Sequence, residues 1–172
     1  MTAQAEFVPL DARQHNVKTF ECGKPEMNQF LARFAAKNAL LGLSSTWVLI
    51  EEAPVSTAKK SIIAYYTLAS TTVTREDIPA ESKLPGYPVP VVLLARLAVD
   101  HKRHGQHIGE KTLISALRQS VTLTDRGLPA LGLILDVLDE DALAFYQKFD
   151  LFQPFTDDPM RLFAPMRVLR QI

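Results

Sequence analysis

The run Val91-Val92-Leu93-Leu94-Ala95-Arg96-Leu97-Ala98-Val99-Asp100, then His101-Lys102-Arg103-His104-Gly105-Gln106-His107-Ile108-Gly109, then Glu110-Lys111-Thr112-Leu113-Ile114-Ser115-Ala116-Leu117-Arg118 reads as strand, glycine-containing turn and helix. As far as Val99 it is almost entirely apolar and rich in Val and Leu, which fits a strand buried on both faces. After Gly109 the period changes. Leu113, Ile114, Leu117 and Val121 fall on one helical face, and Lys111, Ser115, Arg118 and Thr122 on the opposite stripe. A turn of this kind leaves backbone N–H groups at a helix N-terminus, where the positive end of the dipole favours anions. The stretch therefore reads as a phosphate cradle.

The rest of the chain gives this unit a setting. With 172 residues, 47% apolar and 22% charged, it suits a single domain spanning residues 1–172 with a continuous core. Nineteen basic residues balance nineteen acidic ones, which argues against a surface that grips nucleic acid all round and leaves room for a local basic face. Lys18, Lys24, Arg33 and Lys37 make the early helical region basic, while Asp136, Asp139, Glu140, Asp141, Asp150, Asp157 and Asp158 concentrate acid late. Cys22 is the only cysteine, which excludes an intrachain disulfide and a cysteine zinc site and fits a reducing cytoplasm. No apolar run approaches the roughly 20 residues of a membrane span, and the first residues lack the pattern of a signal peptide.

Taken in order, Phe7-Val8-Pro9-Leu10 reads as a short edge strand. A helix starts near Pro25, with Met27, Phe30, Leu31, Phe34 and Leu41 as its buried face and Arg33 and Lys37 on the other side. Thr46 to Ile50 and Ser61 to Leu68 form an antiparallel pair joined by a polar connection carrying Pro54, and the proline-bearing stretch Thr74 to Pro90 is a loop. Ala130 to Val137 is a second buried strand, followed by a helix capped by Asp139 on which Ala142, Tyr146 and Phe149 share a face. Met160 to Val168 has strand character interrupted by Pro165. The order β, α, β-β, β, α, β, α, β gives a mixed α/β sheet in which the opening strand and the one at Leu131 lie parallel.

The order Leu-Ala-Arg-Leu-Ala-Val-Asp followed by His104-Gly105-Gln106-His107-Ile108-Gly109 resembles motif A of the GNAT superfamily of acyl-CoA-dependent N-acetyltransferases. That motif is usually written Q/R-x-x-G-x-G/A. His104 stands for Gln or Arg, and His107 for the first glycine. Ala144-Phe145-Tyr146-Gln147-Lys148-Phe149-Asp150-Leu151-Phe152 is similar to motif B, A-x-F-Y-x-x-x-G-F, with Asp150 in place of glycine. The resemblance implies the GNAT acyl-CoA N-acyltransferase fold, whose central parallel strands splay to admit CoA. It implies acetyl-CoA as co-substrate, with pantetheine held along Leu97, Ala98 and Val99. Arg103, His104, Gly105, Gln106, His107, Ile108 and Gly109 would hold the pyrophosphate, and Tyr146 would be the general acid for the departing thiolate.

Phe20-Glu21-Cys22-Gly23, Tyr65-Tyr66-Thr67-Leu68, Pro85-Gly86-Tyr87-Pro88-Val89-Pro90 and Ala95 to Asp100 narrow the resemblance to the GNAT toxins of bacterial toxin-antitoxin modules. That implies aminoacyl-tRNA as acceptor, a ribbon-helix-helix antitoxin as partner and a homodimer, with Arg33, Lys37 and Arg96 as candidate tRNA contacts. Such an acceptor needs no dedicated base, since an α-amine of pKa about 7.7 to 8.0 keeps a usable neutral fraction. A metal reading of His101, His104 and His107 lacks helical spacing and a completing Cys or carboxylate pair, so no metal is expected. The alternatives are a GNAT acting on small-molecule or protein amines and a non-catalytic acyl-CoA-binding module.

Overall fold

The computed structural model describes residues 2–3, 6–52, 58–79 and 83–172. Pro54 of the polar connection, residues 80–82 of the proline-bearing loop and part of the N-terminus lie outside that set. The strands are β1 (Thr2–Ala3), β2 (Val8–Pro9), β3 (His15–Asn16), β4 (Ser45–Glu52), β5 (Lys60–Val73), β6 (Val89–Val99), β7 (Gly132–Asp136), β8 (Gln153–Pro154) and β9 (Arg161–Pro165). The helices are α1 (Pro25–Gln29), α2 (Ala35–Leu41), α3 (Ile108–Asp125), α4 (Glu140–Gln147) and α5 (Met166–Leu169). A π-helical turn, Phe30–Phe34, joins α1 to α2, and a 3₁₀ turn, His101–Arg103, follows β6. Among the described residues no helix is long and apolar enough to cross a membrane.

The chain divides into two compact units, Met1–Ala69 with Arg96–Ala116, and Ser70–Ala95 with Leu117–Ile172. In the first, β4 lies antiparallel to β5, and β1 and β2 add to β4. Its register is fixed by side chains suited to a pleated surface. Thr46 opposes Thr67 with their hydroxyls 2.7 Å apart, and Trp47 stacks on Tyr66 at 5.2 Å. Phe20 and Phe30 pack on the buried Tyr65, whose hydroxyl donates to Met27 O at 2.7 Å, so the helical segment is tied to the sheet by both apolar and polar contacts.

The expected buried face of that segment holds only in its first half. Phe30 and Leu31 are buried, but Phe34 is 46% exposed and Leu41 62% exposed. The π-helical turn inserts an extra residue, which shifts the phase so that Ala35 takes the inward position Phe34 would occupy at 3.6 residues per turn.

His15 anchors the N-terminal loop. It is 4% exposed, and its Nδ1 accepts the Asp11 amide at 3.0 Å. Burial pulls its pKa below the ordinary value, aided by Lys60 and opposed by the Asp11 carboxylate. The unfolded chain therefore binds the proton more readily than the folded one, and the stabilisation is present above pH of about 6.5 and lost as pH falls through the depressed folded value. Urea titrations between pH 7.5 and 5 are expected to show falling stability, with His15→Gln flattening the slope. An unchanged slope in the variant would assign the loss to other groups.

In the second unit β6 lies parallel to β7, β7 antiparallel to β9, and β9 antiparallel to β8. Val91, Ile134, Phe155 and Phe163 form its core with Val73 and Ile78. The β6–β7 ladder comprises Val92↔Leu133 and Leu93↔Ile134. The parallel strands part there, although β6 continues to Val99 and β7 to Asp136. β6 also neighbours β5 in the sheet, and the mixed α/β arrangement with splayed central strands is the one expected.

Three local expectations are corrected. β6 is not buried on both faces along its length: Val91, Val92 and Leu94 are buried and Leu93 is half-buried, and beyond the ladder with β7 Ala95, Arg96, Leu97 and Val99 are half-buried with only Ala98 buried. The predicted strand after Met160 ends at Pro165, and Met166–Leu169 is a helical turn with Met166 and Leu169 buried three residues apart. Likewise α3 buries Thr112, Leu113, Ala116, Leu117 and Ser120, a face rotated from the expected one, with Ile114 and Val121 half-buried. Thr112 tolerates burial because its hydroxyl donates to Ile108 O at 2.7 Å.

Candidate active site

The turn after β6 is built by local polar bonds. Asp100 caps it, its Oδ1 accepting the Lys102 amide at 3.0 Å, and Arg103 N returns to Asp100 O at 2.9 Å. His104 then leaves the turn in extended conformation, and its Nε2 donates to Val99 O at 2.8 Å, folding the loop back on the strand end. Gly105 follows at φ +79 with open space where a Cβ would sit, so backbone or a ligand can approach closely there.

His107 sits at φ 60, the only non-glycine residue with positive φ among the described residues. It closes the loop by accepting the first helical bond, from Lys111 N at 3.2 Å. The amides of Ile108, Gly109 and Glu110 then have no acceptor within α3, an 18-residue helix whose dipole adds to their positive character. The predicted cradle His104 to Gly109 is thus one continuous loop-to-helix corner. The left-handed conformation costs an L residue roughly 1–2 kcal/mol, against roughly 0.4–1 kcal/mol of chain entropy that glycine adds to the unfolded state. His107→Gly is therefore expected to raise stability by about 0.5–1 kcal/mol in urea denaturation, and a loss of stability would mean that the His107–Glu110 pair at 3.3 Å outweighs the strain.

The other predicted side chains have different settings. Arg103 pairs with Glu51 in a half-buried contact, so its guanidinium braces the loop against β4. Arg96 lies over the Phe30 ring, 4.9 Å from its centre, and holds the helical segment as well as bearing charge. Arg33 and Lys37 are exposed on that segment, near exposed Phe34, Leu40, Leu41 and Leu43. Leu97, Ala98 and Val99 form the end of β6, with Ala98 buried in the core beside Tyr65.

In the second unit, Asp139 caps α4 as expected, its carboxylate accepting the Ala142 amide at 2.9 Å. This fixes the helix that carries Tyr146, which is 8% exposed and packed edge-on against Phe145 and Phe152. Burial pushes the Tyr146 phenol above its ordinary value, so it keeps its proton at neutral pH. A separate cavity of 320 Å³, lined by Thr72, Val73, Thr74, Asp77, Asp136, Phe155, Asp157, Asp158 and Arg161, contains none of the predicted site residues. Among the described residues no group of His, Cys, Asp or Glu is placed to hold a metal ion.

Sequence reading missed the residues that brace the loop from a distance, Glu21 and Glu51, and the structural weight of Asp100. An acidic residue closing an apolar strand just before a turn is a recognisable capping signal. Its second partner, Glu21, leaves no mark in the sequence.

No family model matches the chain. A Mycobacterium tuberculosis protein described as a tRNA-acetylating toxin is 33% identical over 160 residues, covering 91% of this chain and 90% of that one. Among solved structures, a tyrosine-to-phenylalanine variant of KacT is similar with a TM-score of 0.86 at 25% identity, covering 99% of each chain. AtaT complexed with acetyl-methionyl-tRNA is similar with a TM-score of 0.84 at 24% identity, covering 99% of this chain and 98% of that one. Identity of this extent, together with the shared fold, shows that the chain belongs to the GNAT-type tRNA-acetylating toxins.

Proposed function

We propose that this chain transfers the acetyl group of acetyl-CoA to the α-amine of aminoacyl-tRNA and so blocks translation. The observation that carries the reading is the 33% identity to a tRNA-acetylating toxin along 91% of the chain. The loop geometry supports it. Gly105 leaves room for close approach, and the amides at the start of α3 suit a pyrophosphate. His104 to Gly109 take that group, Arg103 braces them, and the backbone of Leu97, Ala98 and Val99, on the part of β6 beyond its ladder with β7, takes the amide-bearing arm. If the left-handed corner at His107 is the strained part of this cradle, His107→Gly also tightens acetyl-CoA binding in calorimetry. Weaker binding would mean that the imidazole contributes contacts.

Arg33, Lys37 and Arg96 are the proposed tRNA contacts, and Tyr146 the proton donor. The neighbour AtaT is also known bound to the C-terminus of its antitoxin AtaR, which supports an antitoxin partner here. We place the protein in the cytoplasm, as a homodimer when free. Incubation with labelled acetyl-CoA and a mixture of charged tRNAs tests the reading. Label on the aminoacyl end of tRNA supports it. Label on free amines or peptides alone would replace it with a small-molecule or protein acetyltransferase, and binding without transfer with a non-catalytic module.

A further inference from the structure

Asp100 grips more than its own turn. Its Oδ1 accepts the Lys102 amide at 3.0 Å, while Oδ2 accepts the amide of Glu21, 79 residues away, at 3.2 Å. Glu21 is held from its other side as well. Its carbonyl accepts the His101 amide at 2.8 Å and His101 Nδ1 at 2.8 Å. The Glu21 side chain in turn accepts Asn28 Nδ2, and Asn28 Oδ1 accepts the Cys22 amide at 2.9 Å. Asn28 belongs to α1, the start of the helical segment that carries Arg33 and Lys37. Asp100 itself is fixed to the sheet, its amide donating to Ile63 O at 2.7 Å, and its side chain is only 13% exposed.

From this geometry we infer that Asp100 is a positioning residue which sets the donor loop and the acceptor-binding helix in one register. The inference rests on the acetyltransferase reading above. One carboxylate oxygen shapes the turn that leads into the His104–Gly109 cradle, and the other holds the loop that leads into α1. Because each oxygen serves a different element, the two roles are separable. Asparagine keeps one acceptor and presents an NH₂ where the second was. Its oxygen stays on Lys102, two residues away, since that bond closes the shorter loop, and the NH₂ is left facing the Glu21 amide.

The test compares wild type, Asp100→Asn and Asp100→Ala by steady-state acetyl transfer to charged tRNA, by calorimetry with acetyl-CoA, and by amide hydrogen exchange at Glu21. In Asp100→Asn we expect faster exchange at Glu21, a KM for charged tRNA raised about tenfold, the factor for one lost hydrogen bond to a charged group, and acetyl-CoA affinity within about threefold of wild type. Asp100→Ala, which loses both bonds, should weaken acetyl-CoA binding as well. A general loss of folding would move both ligands together in the asparagine variant. That result, or an unchanged KM for charged tRNA in both variants, would overturn the assignment. If wild type itself transfers nothing to charged tRNA, it is the acetyltransferase reading that has failed, and the positioning role falls with it.

Discussion

Replacing Gly132 with alanine is expected to destabilise the protein by about 3–5 kcal/mol, a large share of the roughly 5–15 kcal/mol typical of a folded domain. Gly132 opens β7 and pairs with Pro165 of β9. A Cβ on it would lie 2.3 Å from Ala164 O and 2.7 and 2.9 Å from Cε1 and Cζ of Phe163. Neither neighbour can yield cheaply. The carbonyl belongs to a strand paired on both sides, by β7 and β8, and the ring is 1% exposed within the core of the second unit. Relief requires β9 to move away from β7, which strains the Leu133↔Ala164 and Ile134↔Phe163 pairs that set the height of both strands. A urea melt of the purified variant checks this. A loss below about 1 kcal/mol would show that the two strands have more slack than the packing implies.

The importance of Gly132 could not be read from the sequence, where it is one glycine in an apolar run, and the same contrast recurs through the molecule. Features that repeat at a fixed spacing were legible. The change of period after Gly109 marked the β6-turn-α3 unit, and Asp139 before an acidic first turn marked α4. Features set by one irregular residue or by distant partners were not. Nothing in the pattern from Met27 to Leu41 announces a π-helical turn, so the buried face was followed past the point where it rotates away. The face of α3 includes Thr112, Ala116 and Ser120, which hydrophobicity does not single out because small or self-bonded side chains fill tight spaces without being apolar. Strands of two residues, such as β1, β3 and β8, are too short to alternate. In the site, the backbone cradle was legible because Gly105 and the start of α3 are local. The braces were not, since Arg103–Glu51 and Asp100–Glu21 join residues more than fifty apart, where no periodicity connects them.

Tyr146→Phe is expected to lower the rate of acetyl transfer by about 10²–10⁴-fold, the range for loss of one general acid, while leaving acetyl-CoA affinity nearly unchanged. The prediction follows from what the reaction must balance. The neutral amine forms the new C–N bond, the C–S bond breaks, and the departing sulfur takes a proton as the amine nitrogen gives one up. In the proposed mechanism the Tyr146 O–H supplies the first and the phenolate recovers the second. Burial raises the pKa of the phenol, which by itself disfavours giving up a proton. Transfer to the sulfur therefore requires a departing thiolate that is itself cut off from water, because desolvation raises a thiolate's proton affinity above its ordinary value near 8.5. Phenylalanine keeps the ring that packs edge-on against Phe145 and Phe152, so the helix and its surroundings stay in place and only the proton donor is lost. The appropriate measurement is single-turnover transfer to charged tRNA, which isolates chemistry from product release. A rate within threefold of wild type would remove Tyr146 from the chemistry. A parallel collapse of acetyl-CoA binding would make it a structural residue of α4 instead.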